Sequence, residues 1–96
     1  MRAVICSKFG PPENLTVQHI TDLKPKKGQV RIAIEACGVN FPDTLIIQNK
    51  YQFKPDLPFS PGGEVAGKID ALGEGVTNFK IGDPVMAMTL SGGFSE

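Results

Sequence analysis

Three residues with side chains suited to ligand binding or proton transfer lie within one twelve-residue stretch of the chain: Asn40, Asp43 and Tyr51. An amide, a carboxylate and a phenol that faced a common cleft could bind a polar ligand and handle a proton there. A structural interpretation is also open, because asparagine often caps a helix and Asp43 would then be an acid in the first turn. Composition alone favours this structural interpretation over a catalytic one.

A second unusual segment is the run Ser-Pro-Gly-Gly-Glu at residues 60–64, where two adjacent glycines precede a charged residue and an apolar stretch. Glycines in such a position usually allow a backbone turn with positive φ, or the close approach of another chain segment or a ligand. The segment is therefore a second candidate for contact with a ligand.

The remaining reactive residues do not assemble into a recognisable catalytic centre. His19 is the only imidazole and has no evident partner, so we expect it to be structural or exposed. No serine lies in a GxSxG setting, and no GxGxxG precedes a helix. Cys6 and Cys37 are expected to be buried free thiols, since both lie in apolar, strand-like contexts. Without CxxC or HxxxH spacing, the sequence predicts no zinc site.

The composition excludes several classes of partner. Ten lysines and arginines balance ten acidic residues, so the chain carries no net charge to attract nucleic acid or an anionic membrane surface. No apolar run approaches the roughly 20 residues that cross a bilayer, and no signal-peptide pattern is present. We expect one small cytoplasmic domain spanning residues 1–96.

Eleven glycines and eight prolines separate short apolar segments, which predicts a mainly β fold with short helices. The clearest strand is residues 29–37, with Val30, Ile32, Ile34 and Ala36 on one face. A helix is expected after Asn40, with an apolar side formed by residues 45–47, followed by an ordered loop over residues 49–61. Further strands are predicted at residues 2–6, 64–72 and 84–88, an ambiguous one at 15–20, and the opening of another at 94–96.

Five motifs together resemble the medium-chain dehydrogenase/reductase superfamily, and within it the zinc-independent quinone oxidoreductases. In chain order they are residues 38–43 (GVNFPD), 58–67 (PFSPGGEVAG), 72–76 (LGEGV), 79–85 (FKIGDPV) and 92–96 (GGFSE). The resemblance implies an N-terminal catalytic domain with a GroES-like, partly open β-barrel. It also implies an NADPH-dependent enzyme that transfers hydride to a quinone or an activated alkene.

Departures from the superfamily's zinc enzymes refine what the resemblance implies. Asn40 stands where those enzymes have a cysteine ligand, and Gly63 stands where they have a histidine ligand, whereas Glu64 is retained. The resemblance therefore implies no bound zinc and makes alcohol oxidation a poor expectation. It assigns Asn40 and Tyr51 to contact with the cofactor, and Asn40, Asp43 and Tyr51 to the catalytic cleft. Leu45 replaces a tyrosine and Asn49 replaces a glycine found in many quinone oxidoreductases, so acceptor preference is left open.

Two alternative functions are also open. The same domain could belong to an NADPH-dependent reductase of enones or enoyl thioesters, or it could be a stand-alone GroES-like binding module. The resemblance implies that the chain is a fragment lacking a Rossmann domain, which would bind most of NADPH and carry the contacts of a homodimer. We accordingly expect the 96-residue chain alone to be inactive.

Overall fold

The computed structural model describes residues 1–96 as two antiparallel sheets and a short helix. The elements, in chain order, are β1 (Arg2–Ile5), a 3-10 turn (Pro12–Asn14), β2 (Thr16–His19), β3 (Val30–Cys37), α1 (Phe41–Ile46), β4 (Glu64–Leu72) and β5 (Pro84–Met88). Strands β1 and β2 pair as one sheet, and the second sheet has the order β3-β4-β5. The mainly β architecture predicted from glycine and proline spacing is confirmed. None of the helices has the length and apolar character needed to cross a membrane.

The central strand of the larger sheet, β4, follows its predicted alternation as far as Ile69, after which a register shift leaves Asp70 unpaired and reverses the faces of Ala71 and Leu72. Val65, Gly67 and Ile69 are buried, whereas Glu64 and Lys68 on the opposite face are exposed. Both edges of β4 are hydrogen-bonded, to β3 and to β5. A strand that is paired on both sides and covered on one face is expected to show this period of two.

Strand β3, which has the most regular apolar alternation in the sequence, departs from that alternation in the structure. The register shifts between Ile34 and Ala36, so that Ile34 lies opposite Gly67 and Ala36 lies opposite Ala66. This bulge leaves Glu35 without a partner, and the face of every later residue is reversed. The prediction that Ile34 and Ala36 share a face is therefore wrong, because Ala36 lies on the outer face of the sheet.

A compact apolar cluster lies between α1 and the loop of residues 49–61. Its buried members are Cys6, Ile46, Ile47 and Phe59, with Phe9, Leu15, Tyr51 and Phe53 packed around them. The loop is attached by two backbone hydrogen bonds between Cys6 and Phe59, of 2.8 and 3.1 Å. The ordered loop is thus confirmed, and the predicted apolar side of the helix is confirmed for Ile46 and Ile47, whereas Leu45 is only half-buried and lies outside the cluster.

Residues 94–96 join the two sheets. Ser95 forms an isolated bridge with Ala3, and the backbone N–H of Val4 donates to the Phe94 carbonyl at 2.8 Å. On the other side, the N–H of Ile34 in β3 donates to the Glu96 carbonyl at 3.1 Å. The predicted start of a strand is therefore an extended segment that contacts both sheets, although it forms only a single bridge.

The Glu96 carboxylate accepts hydrogen bonds from Arg2, which lower the pKa of this carboxyl below its ordinary value. The contact therefore stabilises the fold above the unfolded-state pKa of Glu96, and this contribution is lost as the pH falls through the lower folded-state pKa. We expect an NMR titration of the chain to give Glu96 a low midpoint that returns to normal in Arg2→Ala. Because both side chains are more than half exposed, we expect salt to weaken the shift. If the titration midpoint of Glu96 were the same in Arg2→Ala as in the unmodified chain, the contact would be absent in solution.

Candidate active-site groove

An open groove of about 340 Å³ lies on the outer face of the β3-β4-β5 sheet. It is lined by Ala36, Gly38, Glu64, Val65, Ala66, Met86, Ala87 and Met88. Cross-strand pairing explains the lining, because Glu64 lies opposite Met88 and Ala66 lies opposite Met86. The bulge at Glu35 adds Ala36 to this face. The volume is at the lower end of the range of roughly 300–1,000 Å³ typical of small-molecule sites.

The walls of the groove are mostly apolar and strongly exposed. Met86 and Met88, on the edge strand β5, have 87% and 93% of their surface accessible. Methionine side chains are flexible and polarisable, so they adapt to flat or irregular apolar partners. Adjacent exposed apolar side chains of this kind indicate a contact surface.

One end of the groove is polar because Glu64 lines it, and Asn40, which lies outside the lining, is hydrogen-bonded to Glu64. The backbone N–H of Gly38 donates to the Glu64 carbonyl at 2.9 Å, which holds the end of β3 against the start of β4. The chain then turns into α1, and Asn40 at the cap of that helix donates its Nδ2 to Glu64 Oε2 at 3.3 Å. The structure therefore brings a predicted site residue into contact with an acid 24 positions later in the chain.

Asp43 serves the backbone at the start of α1. Its side chain is buried, with 6% of the residue's surface exposed, and Oδ2 accepts the backbone N–H of Asn40 at 2.9 Å. Asn40 and Asp43 have a capping-box arrangement, in which the Asn40 side chain approaches the backbone N–H of Asp43 without forming a regular hydrogen bond. Its hydrogen bond goes to Glu64 instead. The predicted first-turn acid is present in the place expected, while a catalytic role for Asp43 stays a prediction.

Replacing Asp43 with alanine should lower the free energy of unfolding of the chain by about 1–2 kcal/mol, because the Asn40 N–H loses its partner. Asp43→Asn keeps an acceptor oxygen and should retain most of that stability. Urea unfolding monitored by circular dichroism measures both, with Glu74→Ala as a control at an exposed position. If Asp43→Ala and Glu74→Ala proved equally stable, the cap would contribute nothing measurable.

Tyr51 lies in a different environment from Asn40 and Asp43. Its ring is half-buried and packs against the apolar cluster that contains Ile46, Ile47 and Phe59. None of Asn40, Asp43 and Tyr51 lines the groove, but Asn40 is hydrogen-bonded to the lining residue Glu64 and Asp43 is hydrogen-bonded to Asn40, whereas Tyr51 has no such connection. The structure thus brings Asn40, Asp43 and Glu64 together and places Tyr51 apart from them, so its assignment to the cleft stays a prediction.

The two cysteines are free, as predicted, but they differ in burial. Cys6 is fully buried, whereas Cys37 is only partly buried, so the expectation of burial is confirmed for Cys6 alone. Burial raises the pKa of both thiols, and the negative charge of Asp43 raises that of Cys37 further. No group of three or more histidine, cysteine or acidic side chains is placed to hold a metal ion.

A larger cavity of about 640 Å³ is also present, but none of its lining residues is bonded through a side chain to Asn40, Asp43 or Tyr51. Two of the acids on its lining are already paired: Asp70 with Arg31 at 2.7 Å, and Asp22 with the amino terminus at 3.1 Å. The groove beside Asn40 is therefore the better candidate for chemistry, although it is smaller.

Sequence reasoning included Glu64 in the candidate segment 60–64 without giving it a role of its own, and it did not assign the two groove methionines to the site. Glu64 carried a usable signal, since it follows the Gly-Gly pair that indicated close approach. Met86 and Met88 are two residues apart in a correctly predicted strand, so they share a face. Which face pointed outward depended on the pairing of β5 with β4.

Comparison with known proteins places this arrangement in a family. Residues 26–95 match the alcohol dehydrogenase GroES-like domain. Over 98 aligned positions that cover the whole chain, the sequence is 48% identical to the quinone oxidoreductase of Lama guanicoe and 46% identical to that of Homo sapiens. The chain spans about 30% of the length of these relatives.

Solved structures agree with the sequence comparison. The human synaptic vesicle membrane protein VAT-1 homolog-like protein superposes with a TM-score of 0.94 at 35% identity, over 100% of this chain and 31% of its own. The Escherichia coli quinone oxidoreductase complexed with NADPH gives 0.92 at 33% identity, over 99% and 29%. The predicted GroES-like fold is confirmed, and because the family match covers most of its residues, this chain belongs to the alcohol dehydrogenase GroES-like domain family.

Proposed function

We propose that this chain is the substrate-facing domain of an oxidoreductase that uses NADPH to reduce quinones. The observation that carries the proposal is the groove on β4, which combines apolar walls with one polar end at Glu64, to which Asn40 is hydrogen-bonded. Similar proteins named quinone oxidoreductases, and an NADPH complex among the similar structures, support it.

The groove suits the nicotinamide end of NADPH better than its phosphate groups. Glu64 is the only charged residue that lines it, so the groove offers no cation for a phosphate. A reduced nicotinamide ring carries no charge, and its flat face suits the walls formed by Met86 and Met88. Bound NADPH would supply the hydride, and the phosphates would be held by a dinucleotide-binding domain elsewhere in the full-length protein.

In this proposal, the residues of the chain bind the nicotinamide ring and orient it. The methionine walls exclude water from the ring, and the Asn40 amide hydrogen-bonds to the polar edge of the ligand. Asp43 acts indirectly, because its bond to the Asn40 N–H holds the start of α1, and therefore Asn40, in place. Tyr51 is proposed as a further cofactor contact on the family resemblance alone.

The donor set around the groove does not suit zinc. An asparagine and a glycine stand at positions 40 and 63, and no cluster of three metal-ligating side chains is present. Structural and catalytic zinc sites use three or four cysteine, histidine or acidic ligands. We therefore propose a zinc-free reaction, and stoichiometric zinc in the purified full-length protein would contradict it.

The test is an acceptor comparison with the full-length gene product that contains these 96 residues. NADPH oxidation is followed with a quinone, an enone and an enoyl thioester as acceptors. The proposal expects the quinone to give the highest kcat/KM. A preference for the enone or the thioester would identify the alternative reductase, and no NADPH oxidation with any acceptor would overturn the oxidoreductase assignment.

The 96-residue chain by itself is expected to bind NADPH more weakly than micromolar, since its groove lacks any group for the phosphates. Isothermal titration calorimetry of the isolated chain measures this, with the full-length gene product as the positive control. Micromolar binding by the isolated chain would show that the cofactor's main contacts lie within these residues.

A further inference from the structure

The outer edge of β5 carries unpaired backbone groups. This strand is the last of the β3-β4-β5 sheet and pairs with β4 alone. In an antiparallel ladder, alternate residues of a strand direct their N–H and C=O groups to the same neighbour. The Thr89 N–H donates to the Gly63 carbonyl at 2.7 Å, and the Asp83 carbonyl accepts from β4 at 3.0 Å, so the odd-numbered residues face β4. The N–H and C=O groups of Met86 and Met88 therefore point away from the sheet and have no partner.

The side chains along this edge are apolar and uncharged. Met86, Met88 and the following Leu90 are all exposed, and no charged residue occurs from Pro84 to Ser95. Edge strands usually avoid pairing with another chain through a charged side chain, a bulge or a covering segment. The β5 edge has only the proline at its start, and its pairing with β4 contains no bulge. The other exposed strand, β2, is shorter and mostly polar. We therefore expect strand addition at β5 rather than at β2.

A second copy of the same strand is complementary to this edge. If two β5 strands lie antiparallel with Met86 of one opposite Met88 of the other, every unpaired N–H and C=O of these methionines finds a partner. A register with Met86 opposite itself would set the Met88 carbonyl against Pro84, which has no N–H. In the favoured register Asp83 lies opposite Ser91, so no two acids meet. Both the hydrogen bonds and the charges thus fit a second copy.

The charge of the whole chain also permits self-association. Lysines and arginines balance the acids, so two copies do not repel each other at long range. The flexible methionine side chains of the two copies would lie side by side on the outer face of the joined sheet. One short strand from each copy gives a contact of the transient class, which buries less than roughly 1,200 Å². We therefore expect a weak and reversible dimer.

We propose that the open edge of β5 is a docking site for a second copy of this chain, which adds its own β5 in the antiparallel direction and joins the two sheets into one. The proposal rests on the backbone geometry of β5 and is independent of the NADPH chemistry proposed above. Because Met86 and Met88 also line the groove, the second copy would place its own methionines along the open side of the groove.

The first test is a dilution series of the 96-residue chain from about 1 mM to about 10 μM, the range in which a weak dimer dissociates. Amide hydrogen exchange is followed by NMR, and sedimentation velocity gives the oligomeric state. We expect the N–H groups of Met86 and Met88 to exchange slowly at high concentration and rapidly at low concentration. Those of Val85 and Ala87, which face β4, should exchange slowly throughout.

Two results of the dilution series would overturn the proposal. One is rapid exchange of Met86 and Met88 at every concentration, accompanied by sedimentation as a monomer. The other is slow exchange of both amides in a chain that stays monomeric, which would show that another segment of the same molecule covers the edge.

Variants at Met88 separate backbone pairing from contact between side chains. Met88→Pro removes an outward N–H and leaves the hydrogen bonds to β4 in place, because proline is tolerated where the N–H of an edge strand faces solvent. We expect it to weaken the dimer about tenfold or more, since one hydrogen bond is lost from each copy. Met88→Ala keeps the N–H and should weaken the dimer less. Equal losses in the two variants would overturn strand addition.

A charge on the edge provides a second variant that does not depend on proline. Met86→Lys should also weaken the dimer about tenfold or more, because pairing would bury part of a charged side chain. Leu23→Lys is the matched control at an exposed apolar position outside β5. Thermal unfolding confirms that each variant folds. Unchanged dimer formation in both Met86→Lys and Met88→Pro would place the interface elsewhere and overturn the proposal.

Discussion

Replacing Gly67 with alanine is expected to lower the free energy of unfolding by about 3 kcal/mol, at the upper end of the usual cost of overpacking. A Cβ at this position would overlap the carbonyl oxygen of Ala33, and it would lie 2.9 Å from the Ala33 carbonyl carbon and 3.0 Å from the Ile34 Cα. These are backbone atoms of β3, opposite Gly67 in the sheet. They cannot move aside without separating the two strands. Urea unfolding of the 96-residue chain measures the loss.

The matched control for Gly67→Ala is Gly75→Ala. Gly75 has open space around its Cα but a positive φ of 83°, so alanine there is strained without a steric collision. Left-handed backbone costs a residue with a Cβ about 1–2 kcal/mol. A loss in Gly67→Ala no larger than that in Gly75→Ala would contradict the close approach of β3 to β4 at this position.

The largest functional effect is expected from Asn40→Asp, which should lower the kcat/KM of the full-length gene product for NADPH-dependent quinone reduction by about tenfold or more. The amide that donates to Glu64 at 3.3 Å becomes a carboxylate, so two negative groups face each other in the groove. A lost or reversed hydrogen bond at such a site costs about 1–3 kcal/mol. Steady-state kinetics with a quinone acceptor measure the change.

A role of Asn40 as a helix cap can be distinguished from a role in ligand binding, because aspartate and serine are both good N-cap residues. Asn40→Ser should therefore unfold close to the temperature of the unmodified protein, whereas repulsion between the new carboxylate and Glu64 should lower the unfolding temperature of Asn40→Asp. Asn40→Ser should also lose activity, since it removes the amide without adding charge. Unchanged kinetics in Asn40→Ser, which keeps a capping oxygen but lacks the amide, would instead identify Asn40 as a helix cap only.

The bulge in β3 connects the fold to the proposed chemistry. Without an extra residue at Glu35, Ala36 would share the inner face with Ile34, and Cys37 would point outward at the edge of the groove. With the bulge, Ala36 lies opposite Ala66 on the outer face, and Cys37 lies opposite the buried Val65. A small, inert side chain thus lines the groove, and the thiol is kept on the inner face.

Local patterns in the sequence determined much of this protein. The period of two in residues 64–72 predicted β4 and its buried face, and Asn40 with Asp43 predicted the start of α1. The spacing of glycine and proline predicted a mainly β chain, and the ordered motifs predicted its GroES-like family. These features can be predicted from the sequence because each depends on residues within a few positions of one another, through strand period, helix capping and turn geometry.

Only the tertiary structure decided which residues form the groove. The reversal of Ala36 depends on how β3 pairs with β4, and the regular apolar alternation of residues 30–36 gives no sign of the extra residue. Likewise, Asn40 meets Glu64 because the Gly38–Glu64 backbone bond closes a segment of more than twenty residues. Tyr51, only eleven positions from Asn40, turns instead to an apolar cluster. Contacts between distant segments are set by strand register and by competition for the core, and neither can be read from the spacing of residues along the chain.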